Sequence, residues 1–180
     1  MTKVDVGAPP TKFKSYSMGD DFRECKIWEI ARATSAATTF FPSISIGLQE
    51  IEFIDAGFGH NNPCEVLISE AEALFVNETI DCVLSIGTGL NGTIIVEDSR
   101  FSIVKALSDM ASNTEAVHRR LASQFPEKLY FRFDVIKGLE DVTLSDWDKS
   151  SKISGHTANY LSEPAIEKSI KRVARILAQG

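Results

Sequence analysis

Residues 82–86, Cys-Val-Leu-Ser-Ile, form a short and almost wholly apolar run that stops abruptly at Gly87-Thr88-Gly89. A continuous apolar run of this length, closed by glycines, is typical of a buried parallel strand. A second run, Ile51 to Ile54, stops just as abruptly at Asp55. Helical patterns follow and separate such runs. Strands that alternate with helices predict an α/β fold, with helices packed on a mostly parallel central sheet.

Hydrophobic periodicity predicts the remaining elements. The predicted helices are 24–37, 62–75, one or two within 101–124, and two in the tail, the last opening near Pro164; the other predicted strands are 12–16 and 129–136. Asn62 is placed to cap the helix at 62–75, and Pro63 suits its first position. The expected buried faces are Ile27, Ile30, Ala31 and Thr34 in the first helix, Val66, Leu67, Ala71, Leu74 and Phe75 in the second, and Ile166, Ile170, Val173 and Leu177 in the last.

Composition limits the class of protein. At 180 residues and 43 % hydrophobic, the chain is long enough for one domain with a substantial core. Residues 1–20 are expected to form an N-terminal extension with one short strand, and residues 21–180 the domain. A net charge of -6 argues against a nucleic-acid partner. No apolar run approaches the roughly 20 residues of a membrane span, so no transmembrane span is expected. Three cysteines without CxxC spacing indicate reduced thiols and a cytoplasmic location.

The glycine-rich segment Gly87 to Gly92 spells GxGxxG directly after a predicted strand. This pattern binds a dinucleotide only when its third glycine opens a helix whose N-terminus holds the pyrophosphate. Here Thr-Ile-Ile-Val follows, which favours a strand. A nucleotide-binding module is therefore the less favoured interpretation. The favoured one is a tight turn beside a site at the carboxyl end of the sheet, with Gly87 and Gly89 supporting it.

Other catalytic and metal signatures are weak. His60, His118 and His156 lack the spacing of metal ligands, so neither a metal site nor a cofactor is expected. No segment has the GxSxG pattern of a nucleophile elbow. Asp55 has two interpretations. It is either an ordinary turn aspartate, or a general base that the strand presents where Gly57 lets the backbone turn sharply.

Three segments decide between these interpretations, because residues 27–47, 53–75 and 83–89 resemble in order and spacing the patatin-like phospholipase family. More loosely, residues 128–161 resemble the end of the lipase domain in relatives that fuse it to signalling ATPase and repeat domains. The resemblance implies a patatin-like three-layer α/β fold and a serine acyl hydrolase that acts on phospholipids or acylglycerols. Such enzymes use a Ser-Asp dyad, in which the aspartate belongs to an Asp-Gly-Gly or Asp-Gly-Ala motif. Asp55 matches this aspartate.

The resemblance also identifies residues that support the motif. They are Ala56, Gly57, Gly59, Asn61, Asn62, Pro63, Gly87 and Gly89. Ala56 departs from the family, which has glycine there, so the turn must tolerate a Cβ atom. Gly57 is expected near a positive φ, and the strands that end at Asp55 and Gly87 are expected to meet at one edge of the sheet.

The family's oxyanion loop and its GxSxG serine have no counterpart in this chain, because relatives carry them upstream of what is Met1 here. The fold is therefore expected to be incomplete at its N-terminal side, and the chain alone inactive. In the complete enzyme a lipid substrate at a membrane surface is implied, with peripheral membrane association. The partner of this chain would be the missing N-terminal half or a homologous chain. A non-catalytic, standalone regulatory or interaction protein remains the alternative.

Overall fold

Short strands and helices follow one another along the chain in the computed structural model, which describes residues 2–3, 10–16, 22–37, 41–89, 114–142 and 146–179. The elements are β1 (Thr2–Lys3), α1 (Ile27–Thr34), β2 (Ile44–Ile46), β3 (Ile51–Ile54), α2 (Gly57–His60), α3 (Cys64–Leu74), β4 (Val83–Ile86), the described part of α4 (114–124), β5 (Tyr130–Phe133), a 3-10 turn (Trp147–Lys149), α5 (Ser150–Leu161) and α6 (Pro164–Leu177). The chain divides into two units, Met1–Asn61 and Asn62–Gly180. The continuation of the glycine-rich segment beyond Gly89 lies outside the described residues.

The first unit contains a three-stranded antiparallel sheet in the order β1-β3-β2. A tight hairpin joins β2 to β3, and its turn places Gly47 at φ 85° and Glu50 at φ 50°. The strand that ends at Asp55 is therefore antiparallel to both of its neighbours, whereas the sequence predicted a mostly parallel sheet. A connection of four residues returns the chain alongside itself, whereas a parallel pair needs a long crossover.

The core of the first unit forms where α1 meets this sheet. Ala33 and Phe53 are fully buried, and the rings of Phe13, Phe22 and Phe53 contact one another edge to face at centroid distances of 5.3–5.8 Å. Residues 12–16 are not a strand, because Phe13 instead packs against this aromatic cluster. The predicted face of α1 was also wrong, since Ile27 is 88 % exposed. The small side chain of Ala33 allows the helix to approach the sheet closely.

The second unit contains the parallel pair β4-β5, in which Val83 lies opposite Tyr130 and Ile86 opposite Phe133. This confirms the parallel pairing predicted for residues 82–86, but the strand is not buried on both faces, because Leu84 is 41 % and Ile86 74 % exposed. Helices α3 and α4 cover one face of the pair through a cluster of six buried side chains: Cys64, Ile68, Val83, Val117, Leu121 and Tyr130. The predicted stripe of α3 was wrong, because Leu67, Leu74 and Phe75 are exposed while Cys64 and Ile68 are buried.

Helix α6 begins at Pro164, as predicted. Its Val173 is buried and Ile166 and Ile170 are half-buried, whereas Leu177 is exposed, contrary to prediction. The described architecture is thus a mixture of helices and small sheets with one parallel pair, which is compatible with an α/β fold.

Candidate functional site

Asp55 lies directly after β3, where the sheet of the first unit ends. Its backbone N–H donates to the carbonyl oxygen of Ala36 at 3.0 Å, and its carboxylate Oδ1 accepts the N–H of Gly57 at 3.0 Å. The side chain is half-buried. Within the described residues its second oxygen, Oδ2, has no hydrogen-bond partner. One oxygen therefore fixes the orientation of the carboxylate.

The turn after Asp55 is helical. Ala56 has φ -74° and ψ -2°, and Gly57 opens α2, so the prediction of a positive φ at Gly57 was wrong. Because Ala56 adopts an ordinary right-handed conformation, its Cβ atom fits without backbone strain. The Asp-Ala-Gly sequence is therefore compatible with the turn. Steric crowding does not explain the glycine at position 59, since no described atom lies within 4 Å of the position that a Cβ would take.

Asn62 connects two helices at the start of the second unit. Its Oδ1 accepts the N–H of Cys64 at 3.3 Å, and its Nδ2 donates to the carbonyl oxygen of Thr114 at 3.5 Å. Helix α3 begins at Cys64, one residue later than predicted, with Pro63 at the N-cap. Asn62 is 5 % exposed, so this side chain has a structural role, whereas Asn61 is exposed.

The glycine-rich turn follows β4 in the second unit. The N–H of Gly87 donates to the carbonyl oxygen of Phe133 at 2.7 Å, which prolongs the parallel pairing. Gly89 has φ +76°. Among the described strands, β3 and β4 belong to different sheets, so the expected common sheet edge for Asp55 and Gly87 is not found.

Two charged residues that no sequence pattern singled out hold this turn. Asp134 accepts the N–H of Gly89 at 2.7 Å through Oδ1 and pairs with Arg132 at 2.7 Å through Oδ2. Arg132 also donates to the hydroxyl of Ser85 at 2.8 Å. This carboxylate lies against the Gly89 amide, where a nucleotide phosphate would have to bind, so the arrangement disfavours a nucleotide site.

Three further polar residues of the second unit are Tyr130, His118 and Ser85. The hydroxyl of Tyr130 lies 3.1 Å from His118 Nδ1. Burial raises the pKa of Tyr130, so the phenol stays protonated at neutral pH. Ser85 is only 3 % exposed, and its hydroxyl oxygen accepts a hydrogen bond from the cationic Arg132, which lowers the electron density on that oxygen. Ser85 is therefore poorly suited to act as a nucleophile.

The steric environment of Gly87 leads to a prediction. A Cβ there would lie 2.2 Å from Cγ of Asp134 and 2.4 Å from Nη2 of Arg132. We expect Gly87→Ala to lower the free energy of unfolding by about 2–3 kcal/mol, a cost typical of overpacking. Gly59→Ala is the matched control, because the same added methyl meets open space, and its expected change is within about 1 kcal/mol. Urea denaturation of both variants measures the difference. Equal stabilities would contradict the contact between Gly87 and the charged pair.

Neither a metal cluster nor a membrane span is found where the structure describes the chain. In those ranges no three His, Cys, Asp or Glu side chains are grouped to hold a metal ion. None of the described helices combines the length and the hydropathy that crossing a membrane requires.

Comparisons with known proteins identify phospholipases as relatives. The chain is 29 % identical to calcium-independent phospholipase A2-gamma of Oryctolagus cuniculus over 160 residues, covering 86 % of this chain and 20 % of that protein. It is 29 % identical to Phospholipase A I of Arabidopsis thaliana, covering 69 % and 10 %. It is 26 % identical to Patatin-like phospholipase 1 of Plasmodium falciparum, covering 89 % and 27 %. No family profile and no solved structure matches the chain.

These relatives confirm the resemblance that the three sequence segments indicate. The chain spans only about a fifth of the length of the rabbit relative.

Proposed function

We propose that this chain, a relative of the patatin-like phospholipases, is the aspartate-bearing part of a lipid acyl hydrolase that cleaves ester bonds of phospholipids or acylglycerols. The position of Asp55 carries the proposal. Its half-buried carboxylate follows a strand, is anchored through one oxygen by Gly57, and lies within an Asp-Ala-Gly sequence that resembles the family's Asp-Gly-Gly or Asp-Gly-Ala motif. Relatives whose names describe phospholipases align with 69–89 % of the chain, which supports the same assignment.

In the proposed reaction, Asp55 accepts the proton of a serine hydroxyl while the serine oxygen attacks the ester carbonyl. The ester carbonyl oxygen becomes an oxyanion, and the ester carbon–oxygen bond then breaks. The departing alcohol takes the proton back from Asp55, leaving an acyl-serine. Water attacks this acyl group with the same assistance and releases the fatty acid. The N–H of Gly57 holds one carboxylate oxygen so that the other faces the hydroxyl.

The serine and the oxyanion loop of this dyad are proposed to lie outside these 180 residues. Ser35 is not a convincing substitute, because its hydroxyl donates to the backbone carbonyls of Ala31 and Arg32. Ser85 is not a convincing substitute either, because it is buried and its hydroxyl accepts a hydrogen bond from Arg132. We further propose that the patatin-like three-layer fold is completed by the missing N-terminal half or by a homologous chain, and that the protein works in the cytoplasm at the periphery of membranes. A standalone regulatory protein remains the alternative, and reading the transcript upstream of Met1 for an in-frame GxSxG separates the two.

The isolated chain is predicted to lack esterase activity. Without a nucleophile there is no covalent catalysis, so hydrolysis of short p-nitrophenyl esters should equal that of a matched Asp55→Ala control. A fluorophosphonate probe, which labels activated serines, should leave the chain unmodified by mass spectrometry. Turnover that disappears on Asp55→Ala would contradict this prediction and indicate an activated serine within the chain. Ser35 and Ser85 would then be mutated first.

A further inference from the structure

Helix α6 carries a row of basic side chains that the proposed reaction does not use. Lys168, Lys171, Arg172 and Arg175 follow the spacing i, i+3, i+4 and i+7, which places them on one face of the helix. All four are exposed. Together with Pro164 and Glu167 they line a shallow depression of about 500 Å³. We call these four residues the basic stripe.

The basic stripe concentrates positive charge in an otherwise acidic chain. Helix α6 contains four basic residues and one acidic residue, whereas the whole chain has a net charge of -6. Glu167 pairs with Lys171. Lys168, Arg172 and Arg175 have no acidic partner among the described residues. Like charges four residues apart, as in Lys168 and Arg172, repel each other and slightly weaken a helix. The repulsion between these charges is therefore unfavourable for the helix alone, and a nearby anion reduces it.

The geometry of the stripe indicates the shape of that anion. The first and last basic residues are seven positions apart, which is about 10 Å along the helix axis. The four exposed side chains are distributed along this length and line the same open depression. A single phosphate ion would fill only a small part of a depression of about 500 Å³. A flat surface with many anionic groups would contact all four side chains.

The apolar face of α6 is already used within the second unit. Val173 is buried, Ile166 and Ile170 are half-buried, and the helix packs against β5 and α5. The helix therefore cannot insert its apolar face between acyl chains, as interfacial amphipathic helices do. Any contact with a membrane through the stripe must be electrostatic and confined to the headgroups.

We propose that the basic stripe of α6 docks the protein on membranes that contain anionic lipids. The proposal rests on the proposed function in one respect, namely that the substrate of the complete enzyme lies in a membrane. Each Lys or Arg near an anionic leaflet contributes about 1 kcal/mol, which is about fivefold in binding. Removing two positive charges of the stripe therefore reduces binding by about 30-fold, and reversing them reduces it by at least as much.

Vesicle sedimentation with the purified chain tests this docking. We expect the chain to bind vesicles of phosphatidylcholine with 30 % phosphatidylserine, to release them as salt rises, and not to bind phosphatidylcholine alone. Lys168→Glu/Arg172→Glu should weaken binding at least 30-fold. Arg23→Glu/Lys137→Glu is the matched control, because it changes the net charge equally at exposed positions outside α6, and it should weaken binding less than threefold. Circular dichroism verifies that both variants fold.

Two results would overturn the docking proposal: equal binding to vesicles with and without phosphatidylserine, or equal losses in the two double variants. Its failure is distinguishable from failure of the proposed function. Vesicle binding needs no Asp55, so Asp55→Asn should bind like the unchanged chain. Conversely, the Lys168→Glu/Arg172→Glu variant of the full-length product should hydrolyse soluble monomeric esters at the unchanged rate.

Discussion

Replacing Asp134 by alanine is expected to lower the free energy of unfolding by about 3 kcal/mol. The carboxylate of Asp134 accepts the Gly89 amide and pairs with Arg132, both at 2.7 Å. The side chains of Arg132 and Asp134 are only 10 % and 22 % exposed. Removing one member of a buried pair costs about 3–5 kcal/mol, because the remaining charge has no partner. Since Asp134 is partly exposed, the expected loss lies at the lower end of that range.

A double-mutant cycle measured by urea denaturation separates the contribution of the ion pair to stability from that of the hydrogen bond to Gly89. Asp134→Ala should cost at least about 1 kcal/mol less when Arg132 is already methionine, because no unpaired guanidinium then remains. Asp81→Ala is the control for loss of an exposed carboxylate and should change stability by less than about 0.5 kcal/mol. If Asp134→Ala costs no more than Asp81→Ala, the pair does not stabilise the turn.

The sequence predicted correctly those elements whose signals are local. The run at 82–86 forms β4 and pairs in parallel with β5, because it is short, continuous and closed by glycine. Pro164 starts α6, because proline fits the first turn of a helix. Asp55 follows a strand, because the apolar run stops directly before it.

The antiparallel pairing of β3 was not predicted, because the expectation of a mostly parallel sheet came from the α/β pattern of the whole chain and not from the turn before β3. Residues 47–50, which begin with Gly47, separate the two short strands Ile44–Ile46 and Ile51–Ile54. A connection of four residues that contains glycine predicts a hairpin. The faces of α1 and α3 were wrong for another reason. Both helices have apolar side chains around much of their circumference, so periodicity alone does not select the buried face. Tertiary packing selects the buried face, which carries the small Ala33 in α1 and Ile68 in α3.

The pair of Arg132 and Asp134 was not predictable from the spacing of charges. Alternation along β5 assigns both residues to the polar face of a half-buried strand. Only the parallel register, with Ser85 opposite Arg132, brings this face against the turn at Gly89. Asp134 comes immediately after the strand only in the structure, because the predicted strand extended to residue 136 and placed Asp134 inside it.

In the proposed complete enzyme, the full-length product that would contain this chain, Asp55→Asn is expected to reduce lipid hydrolysis by about 10³-fold or more. Asparagine has the same shape, and its Oδ1 can still accept the N–H of Gly57. The amide cannot take the proton of the serine, however, and general-base assistance contributes about 10²–10⁴-fold. The KM should change less than about threefold, because the base does not hold the substrate in the ground state.

The most direct test measures fatty-acid release from phosphatidylcholine vesicles by the full-length product, its Asp55→Asn variant and its Asp81→Asn variant. The exposed Asp81 provides the same chemical change away from the turn. We expect release by the unchanged protein, release within about twofold in Asp81→Asn, and a loss of about 10³-fold in Asp55→Asn. No release by the unchanged protein, or a loss of less than about tenfold in Asp55→Asn, would contradict the assignment of Asp55 as the base of a lipid acyl hydrolase.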